Sequence, residues 1–207
     1  MPLLPPEAFE RQDESADALF YLQPRMVAHI DPATIEALSE FYFEAFFEGA
    51  NVLDLMSSWV SHLPETPKLG RVSGLGMNAE ELAANPRLND WVVQDLNASP
   101  VLPYEAQSFD FVLNAVSIQY LTRPIEVFAE IARVLRPGGS SLVAMSHRCF
   151  PTKAIRFFHL ASGAERCELV RKYHEEAGGF SEIRTLDRSP GSADPLWLVV
   201  GVARADR

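Results

Sequence analysis

The chain has 207 residues, 47% hydrophobic and 22% charged, which suits a soluble globular protein with a sizeable core. A formal net charge of −10 argues against a nucleic-acid partner, whose phosphates are bound mainly through cationic side chains, and leaves only a local basic patch around Arg148, Lys153 and Arg156. The two cysteines, Cys149 and Cys167, form no CxxC pair and have no ligand spacing with the five histidines, so neither a disulfide framework nor a metal site is expected.

Residues 1–33 are polar and proline-punctuated, with Tyr21, Pro24 and Arg25 in a loop; they read as an N-terminal arm or cap on a domain spanning 34–207. Glu10, Asp13 and Glu14 stand where a signal peptide would carry basic and then apolar residues. The most apolar stretch, Phe41 to Met56, is broken by Glu44, Glu48 and Asp54, short of the ~20 residues a bilayer span needs. A cytoplasmic protein without membrane contact is the expectation.

From Thr34 the pattern predicts a helix, with Ile35, Leu38, Tyr42, Ala45 and Phe46 on one face and Gly49 closing it. Short apolar runs then predict strands at 51–55, 71–75, 91–94, 109–114 and 141–145. Between the last two lies an amphipathic helix, with Ile125, Phe128, Ile131, Ala132 and Leu135 inward and Glu126, Glu130 and Arg133 outward. A further helix covers 165–177, followed by extended segments at 183–186 and 196–203 separated by a turn. Strands alternating with helices predict an α/β fold, a doubly wound, mostly parallel Rossmann-like sheet with a C-terminal antiparallel hairpin at its edge.

In such a sheet ligands sit beyond the carboxyl ends of the strands at the topological switch point, so the residues just past each strand carry the interest. The first strand ends in Asp54 within Val-Leu-Asp-Leu and the third in Asp95-Leu96, and they are followed by the motif runs Phe109-Asp110-Phe111-Val112 and Leu135-Arg136-Pro137-Gly138-Gly139. In order and spacing, over about residues 50–146, the chain resembles the class I S-adenosylmethionine-dependent methyltransferases, in particular those with a type 11 core. The Arg148–Lys153 stretch further resembles an uncharacterised branch with an altered cofactor loop. The resemblance implies S-adenosylmethionine as cofactor, with Asp54 facing its cationic groups, Asp95 accepting from the adenine amino group and the Leu96 amide meeting a ring nitrogen. Helix capping and turn formation are the alternative roles for both aspartates.

Two departures stand out. The family loop Asp-Leu-Gly-Cys-Gly-Thr-Gly is here Asp54-Leu55-Met56-Ser57-Ser58-Trp59-Val60, without a glycine to admit positive φ and close backbone approach. At the end of the second strand, Gly76-Met77-Asn78 occupies the place of the family's ribose-binding carboxylate. Candidate cofactor-binding residues are therefore Asp54, Met56, Ser57, Ser58, Gly76, Met77, Asn78, Asp95, Leu96 and Asn114.

Methyl transfer needs alignment above all, and a base only where the acceptor must lose a proton. His147 and Tyr120 are the catalytic candidates, and Tyr21, Arg25, Gln119 and Arg148 the substrate candidates. A hydrogen-bonded structural role is the alternative for His147, packing for Tyr120, and an ion pair with Asp13 or Asp17 for Arg148. The altered loop contributes His62 and Trp59. A methyltransferase acting on a small molecule leads; a catalytically retired binding or regulatory module of the same fold is the alternative, and an enzyme using another adenosine compound stands behind both.

Overall fold

The computed structural model describes residues 4–205. Seven strands form one sheet: β1 (Val52–Leu55), β2 (Val72–Gly76), β3 (Asp90–Val93), β4 (Phe109–Ala115), β5 (Leu135–Met145), β6 (Phe180–Asp187) and β7 (Trp197–Ala203). The helices are α1 (Asp17–Phe20), α2 (Pro32–Ala45), α3 (Ala79–Ala84), α4 (Pro124–Val134), α5 (Arg156–Leu160) and α6 (Gly163–Ala177). The strand order is β3-β2-β1-β4-β5-β7-β6; β1 to β5 run parallel, while β7 pairs antiparallel with both β5 and β6. This is the expected α/β sheet with its antiparallel edge, although residues 188–196 make the β6–β7 connection longer than a simple turn.

Both faces of the central strands are covered, which is why β1 and β2 read as unbroken apolar or small-residue runs instead of alternating. On one face α4 and α6 bury Val127, Phe128, Ile131, Leu169, Val170 and Tyr173 against Leu53, Leu55, Val112 and Val143. On the other, α2 lays Leu38, Phe41 and Tyr42 over Val52, Leu113 and Val200. Asp31 caps α2 by accepting from Thr34 N at 2.9 Å.

That helix ends at Ala45, not at Gly49. Phe46 leaves helical geometry and packs 4.9 Å from the Phe111 ring, while Gly49, at φ 80°, turns the chain into β1. Sheet order reverses between β1 and β4, so a crevice opens beyond their carboxyl ends.

Residues 10–31 lie across this end of the sheet as a strap. Lys153, with no exposed side-chain surface, reaches Ser15 O at 2.7 Å and Asp13 O at 3.2 Å, and stands 3.1 Å from Asp17 Oδ1. Arg11 Nη1 donates to both Asp17 carboxylate oxygens at 2.7 and 2.9 Å. Further along, Trp59 Nε1 donates to Val27 O and Asn78 Nδ2 donates to Tyr21 O and Leu22 O. Among the described residues no helix is long and apolar enough to cross a membrane.

Candidate active site

Beneath the strap, a cavity enclosing about 1090 Å³, its open mouth included, is lined by residues from the ends of β1, β2 and β4, the turn after β3, and the strap itself. Its floor begins with Asp54, 4% exposed, in the last turn of β1. Ser57 Oγ and Ser61 Oγ both donate to Asp54 Oδ2 at 2.6 Å, so the carboxylate ties the following loop into a tight coil. Burial pushes the Asp54 pKa up to about 6, although the two hydroxyl bonds pull it down.

The loop retains a left-handed residue where the family has its first glycine: Met56 sits at φ 58° and carries a full side chain there. His62 (φ 54°) and Val116 (φ 50°) are also left-handed and also line the cavity. Non-glycine residues in this region cost on the order of 1–2 kcal/mol each, and such strain concentrates at functional sites. Ser57 N donates to Leu75 O at 2.8 Å, laying the loop on the end of β2. A Cβ on Gly76 would collide with the Ser57 carbonyl oxygen. Glycine at the end of β2 is therefore a steric requirement of the altered loop.

A further carboxylate reaches the cavity from the first turn of the next helix. Asn78 caps α3 through bonds from Glu80 N and Glu81 N, and Glu81, 8% exposed, sends its side chain to the cavity wall. There it accepts from Arg25 N at 2.7 Å and from Ser58 Oγ at 2.6 Å.

After β3, Asp95 Oδ1 accepts from Asn97 N at 2.8 Å and Ala98 N at 3.3 Å, closing an Asx-type turn over the cavity. Asn97 Nδ2 donates to Asp17 Oδ2 and to Tyr120 O, both at 2.9 Å, locking strap, turn and the exit of β4 together.

The cavity holds four carboxylates (Asp17, Asp54, Glu81 and Asp95) against one guanidinium, that of Arg25. Its two imidazoles are held neutral: burial, followed by the repulsion of neighbouring His29, lowers His62 to about 4, and burial lowers His29. Burial raises the phenols of Tyr21 and Tyr120, which stay protonated.

Of the residues singled out in the sequence, Asp54, Met56, Ser57, Ser58, Gly76, Met77, Asn78, Asp95 and Leu96 line this one cavity, with Tyr21, Arg25, His62 and Tyr120. Tyr120 acts there as a support: its hydroxyl accepts from Phe150 N at 2.8 Å and its ring stacks on Phe150. The remaining candidates do not reach the cavity wall. Asn114 donates to Met56 Sδ at 3.3 Å, supporting the left-handed turn from behind. Gln119 is spent on Val116 O and Arg148 O. His147 and Arg148 both lie 3.0 Å from Asp194, so neither serves as a base or anchor within the cavity. Arg148 thus pairs with Asp194, not with Asp13 or Asp17, which belong to Lys153 and Arg11. Trp59 turns away to the strap carbonyl of Val27.

Among the lining residues left unassigned in the sequence are Asn97, Glu81, His29 and Phe150. Glu81 carries the one available signal, as the fourth residue of Asn78-x-x-Glu81, a spacing that ordinarily marks a capping box.

A sheet of this topology, with acidic strand ends around a crevice at the switch point, defines the class I S-adenosylmethionine-dependent methyltransferase fold. Residues 59–143 match the family described as "Methyltransferase domain", of the type 11 kind, starting at Trp59 within the altered loop. The ubiquinone/menaquinone biosynthesis C-methyltransferase UbiE of Roseobacter denitrificans is 34% identical over 103 residues, 50% of this chain and 35% of that protein. The biotin biosynthesis bifunctional protein BioHC of Cellvibrio japonicus is 35% identical over 60 residues, 29% of this chain and 11% of that protein. The chain thus spans about a third of the first relative and about a tenth of the second. Among solved structures, a putative methyltransferase bound to the Trm112 methyltransferase activator of Haloferax volcanii superposes with a TM-score of 0.61 and 20% identity, covering 83% of this chain and 90% of that one. The chain has the methyltransferase fold and is similar to the type 11 family over residues 59–143, and S-adenosylmethionine is the cofactor of that family.

Proposed function

We propose that this protein transfers a methyl group from S-adenosylmethionine to a small molecule held under the residue 10–31 strap. The observation that carries this reading is the carboxylate set of the cavity: Asp54 from the end of β1, Glu81 from α3 and Asp95 from the turn after β3 face one space, and Met56, Leu75, Leu96 and Val116 supply apolar wall between them. Such a wall suits a ligand with a sulfonium, an ammonium and an adenine ring. Asp54 and Glu81 would hold the cationic and ribose portions, with Asp95 and Leu96 at the adenine end. When bound, the cofactor supplies an electrophilic methyl group. The chain's own residues exclude water by the strap, align the acceptor between Tyr21, Arg25 and Phe150, and offer the neutral imidazoles of His29 and His62 as proton acceptors. The strap, bonded at Lys153, Asn78, Glu81 and Trp59, lies over the cavity, and that cover favours a small acceptor over a macromolecular one.

One observation favours the alternative of a retired enzyme kept as a binding module: the Ser57 backbone lies directly on Gly76, where related loops give access to ribose. Calorimetry with S-adenosylhomocysteine separates the readings. Micromolar binding that is weakened by Asp95→Ala supports the enzyme; absence of heat and of thermal shift at millimolar ligand removes it.

A further inference from the structure

Arg25 differs from most arginines of this chain. Arg11, Arg71, Arg123, Arg133, Arg136, Arg148, Arg171 and Arg188 each pair with a carboxylate at 3.0 Å or closer. The Arg25 side chain has no carboxylate within ion-pair distance among the described residues, and its one hydrogen bond is a 3.3 Å contact to Gln23 O. It is nevertheless half-buried in the cavity wall. Its guanidinium carbon lies 4.2 Å from the Phe20 ring centroid, 5.4 Å from Phe150 and 5.9 Å from Tyr21, a three-sided aromatic clamp that fixes the group and strips part of its hydration. Its backbone is pinned independently, by Arg25 N to Glu81.

The neighbouring carboxylates are committed elsewhere. Asp17 serves Arg11, Lys153 and Asn97; Glu81 serves Ser58 and the Arg25 amide; Asp54 serves the loop serines. Lys153, which also stands by the Phe20 ring, is consumed by Asp13, Ser15 and Asp17. A planar five-donor cation thus stands alone in an acidic chamber, oriented and without a counter-ion. We infer that Arg25 is the docking point for a single carboxylate carried by a ligand of the chamber. A phosphate dianion is disfavoured, since the one guanidinium shares the cavity with Glu81 and Asp95, which have no cation within ion-pair distance among the described residues.

This inference rests on the methyltransferase reading, in which the carboxylate has two possible sources: the amino-acid end of the cofactor or the acceptor itself. The test compares wild type with Arg25→Met, and with Arg25→Lys as a variant that keeps the charge but loses the fork. S-adenosylhomocysteine and 5′-methylthioadenosine, which lacks the amino-acid end, are titrated by calorimetry. Aliphatic, aromatic and α-amino monocarboxylic acids are then screened by thermal shift with and without S-adenosylhomocysteine, their methyl esters serving as neutral controls. If the cofactor supplies the carboxylate, Arg25→Met weakens S-adenosylhomocysteine roughly ten- to hundredfold and leaves methylthioadenosine unchanged. If the acceptor supplies it, both nucleosides bind equally to all proteins, and a free acid, not its ester, stabilises wild type but not Arg25→Met. Equal behaviour of nucleosides and acids in wild type and variants overturns the inference. Should wild type bind neither nucleoside, the cofactor reading fails by itself and the acid series on the free protein still decides the role of Arg25.

Discussion

Replacing Asp54 by Asn is expected to make the protein more stable and its cofactor site weaker. Asp54 is buried, with two serine hydroxyls and no cation within ion-pair distance among the described residues. Its pKa rises from 3.8 to about 6 on folding, so the folded state binds more protons than the unfolded chain between those values, and stability falls as pH rises through that window. At pH 8 the ionised carboxylate then costs about 3 kcal/mol. Both serines donate to the same oxygen, a load that an amide oxygen also carries. The new amide N–H groups return part of the gain, leaving about 2 kcal/mol, or roughly 4–8 °C in Tm for a chain of this size. The difference between variant and wild type should vanish below pH 4. Urea unfolding of both proteins at pH 4, 6 and 8 measures it, and the subtraction removes His62 and His174. Burial holds both imidazoles at about 4, and their charging destabilises every variant alike as pH falls below 6.5. S-adenosylmethionine, with its sulfonium, should lose more affinity than S-adenosylhomocysteine. A loss of stability in the variant at pH 8 that is absent at pH 4 would refute the reasoning, because it would mean that the charge stabilises the fold.

Lys153→Met leaves Asp13 and Asp17 without their buried cation and should cost about 3–5 kcal/mol, with the strap becoming the first site of limited proteolysis. At residue 56, Gly should be about 1 kcal/mol more stable than Ala in urea unfolding, the reverse of the order at ordinary φ, because the backbone there is left-handed. Gly76→Asp, the substitution that would restore the family carboxylate, should destabilise by about 2 kcal/mol or more and lower S-adenosylhomocysteine affinity, since its Cβ meets the Ser57 carbonyl.

The central sheet was legible because strands buried on both faces must be apolar throughout, and α4 because its 3.6-residue period puts Phe128 and Ile131 on the core and Glu126 on solvent. α3 was not: Asn78 caps it, but Asn85-Pro86 follows after six residues, too few for a period to show. The strand-end carboxylates Asp54 and Asp95 could be anticipated from the sheet order alone. The strap could not, since its residues are polar and aperiodic and its clasp is a contact between distant segments. Lys153 reads locally as part of a basic patch, yet it folds onto a carbonyl 140 residues earlier. Glu81 was hidden for a different reason. Its spacing from Asn78 signals a helix cap, and only the cavity reveals that its carboxylate faces the other way.

The two departures from the family pattern behave as one structural change with a compensation beside it. A loop without glycines cannot stand off the sheet as a phosphate-style cradle does, so it lies down. Asp54 gathers Ser57 and Ser61, and Ser57 bonds to β2 through its amide. That closeness forbids any side chain at position 76, where the family pattern has a carboxylate. A carboxylate reaches the same cavity from α3 as Glu81, held by Ser58 of the same altered loop and by the strap amide of Arg25. Glu81 therefore joins loop, helix and lid at one point, and the loop, the glycine and the glutamate constrain one another.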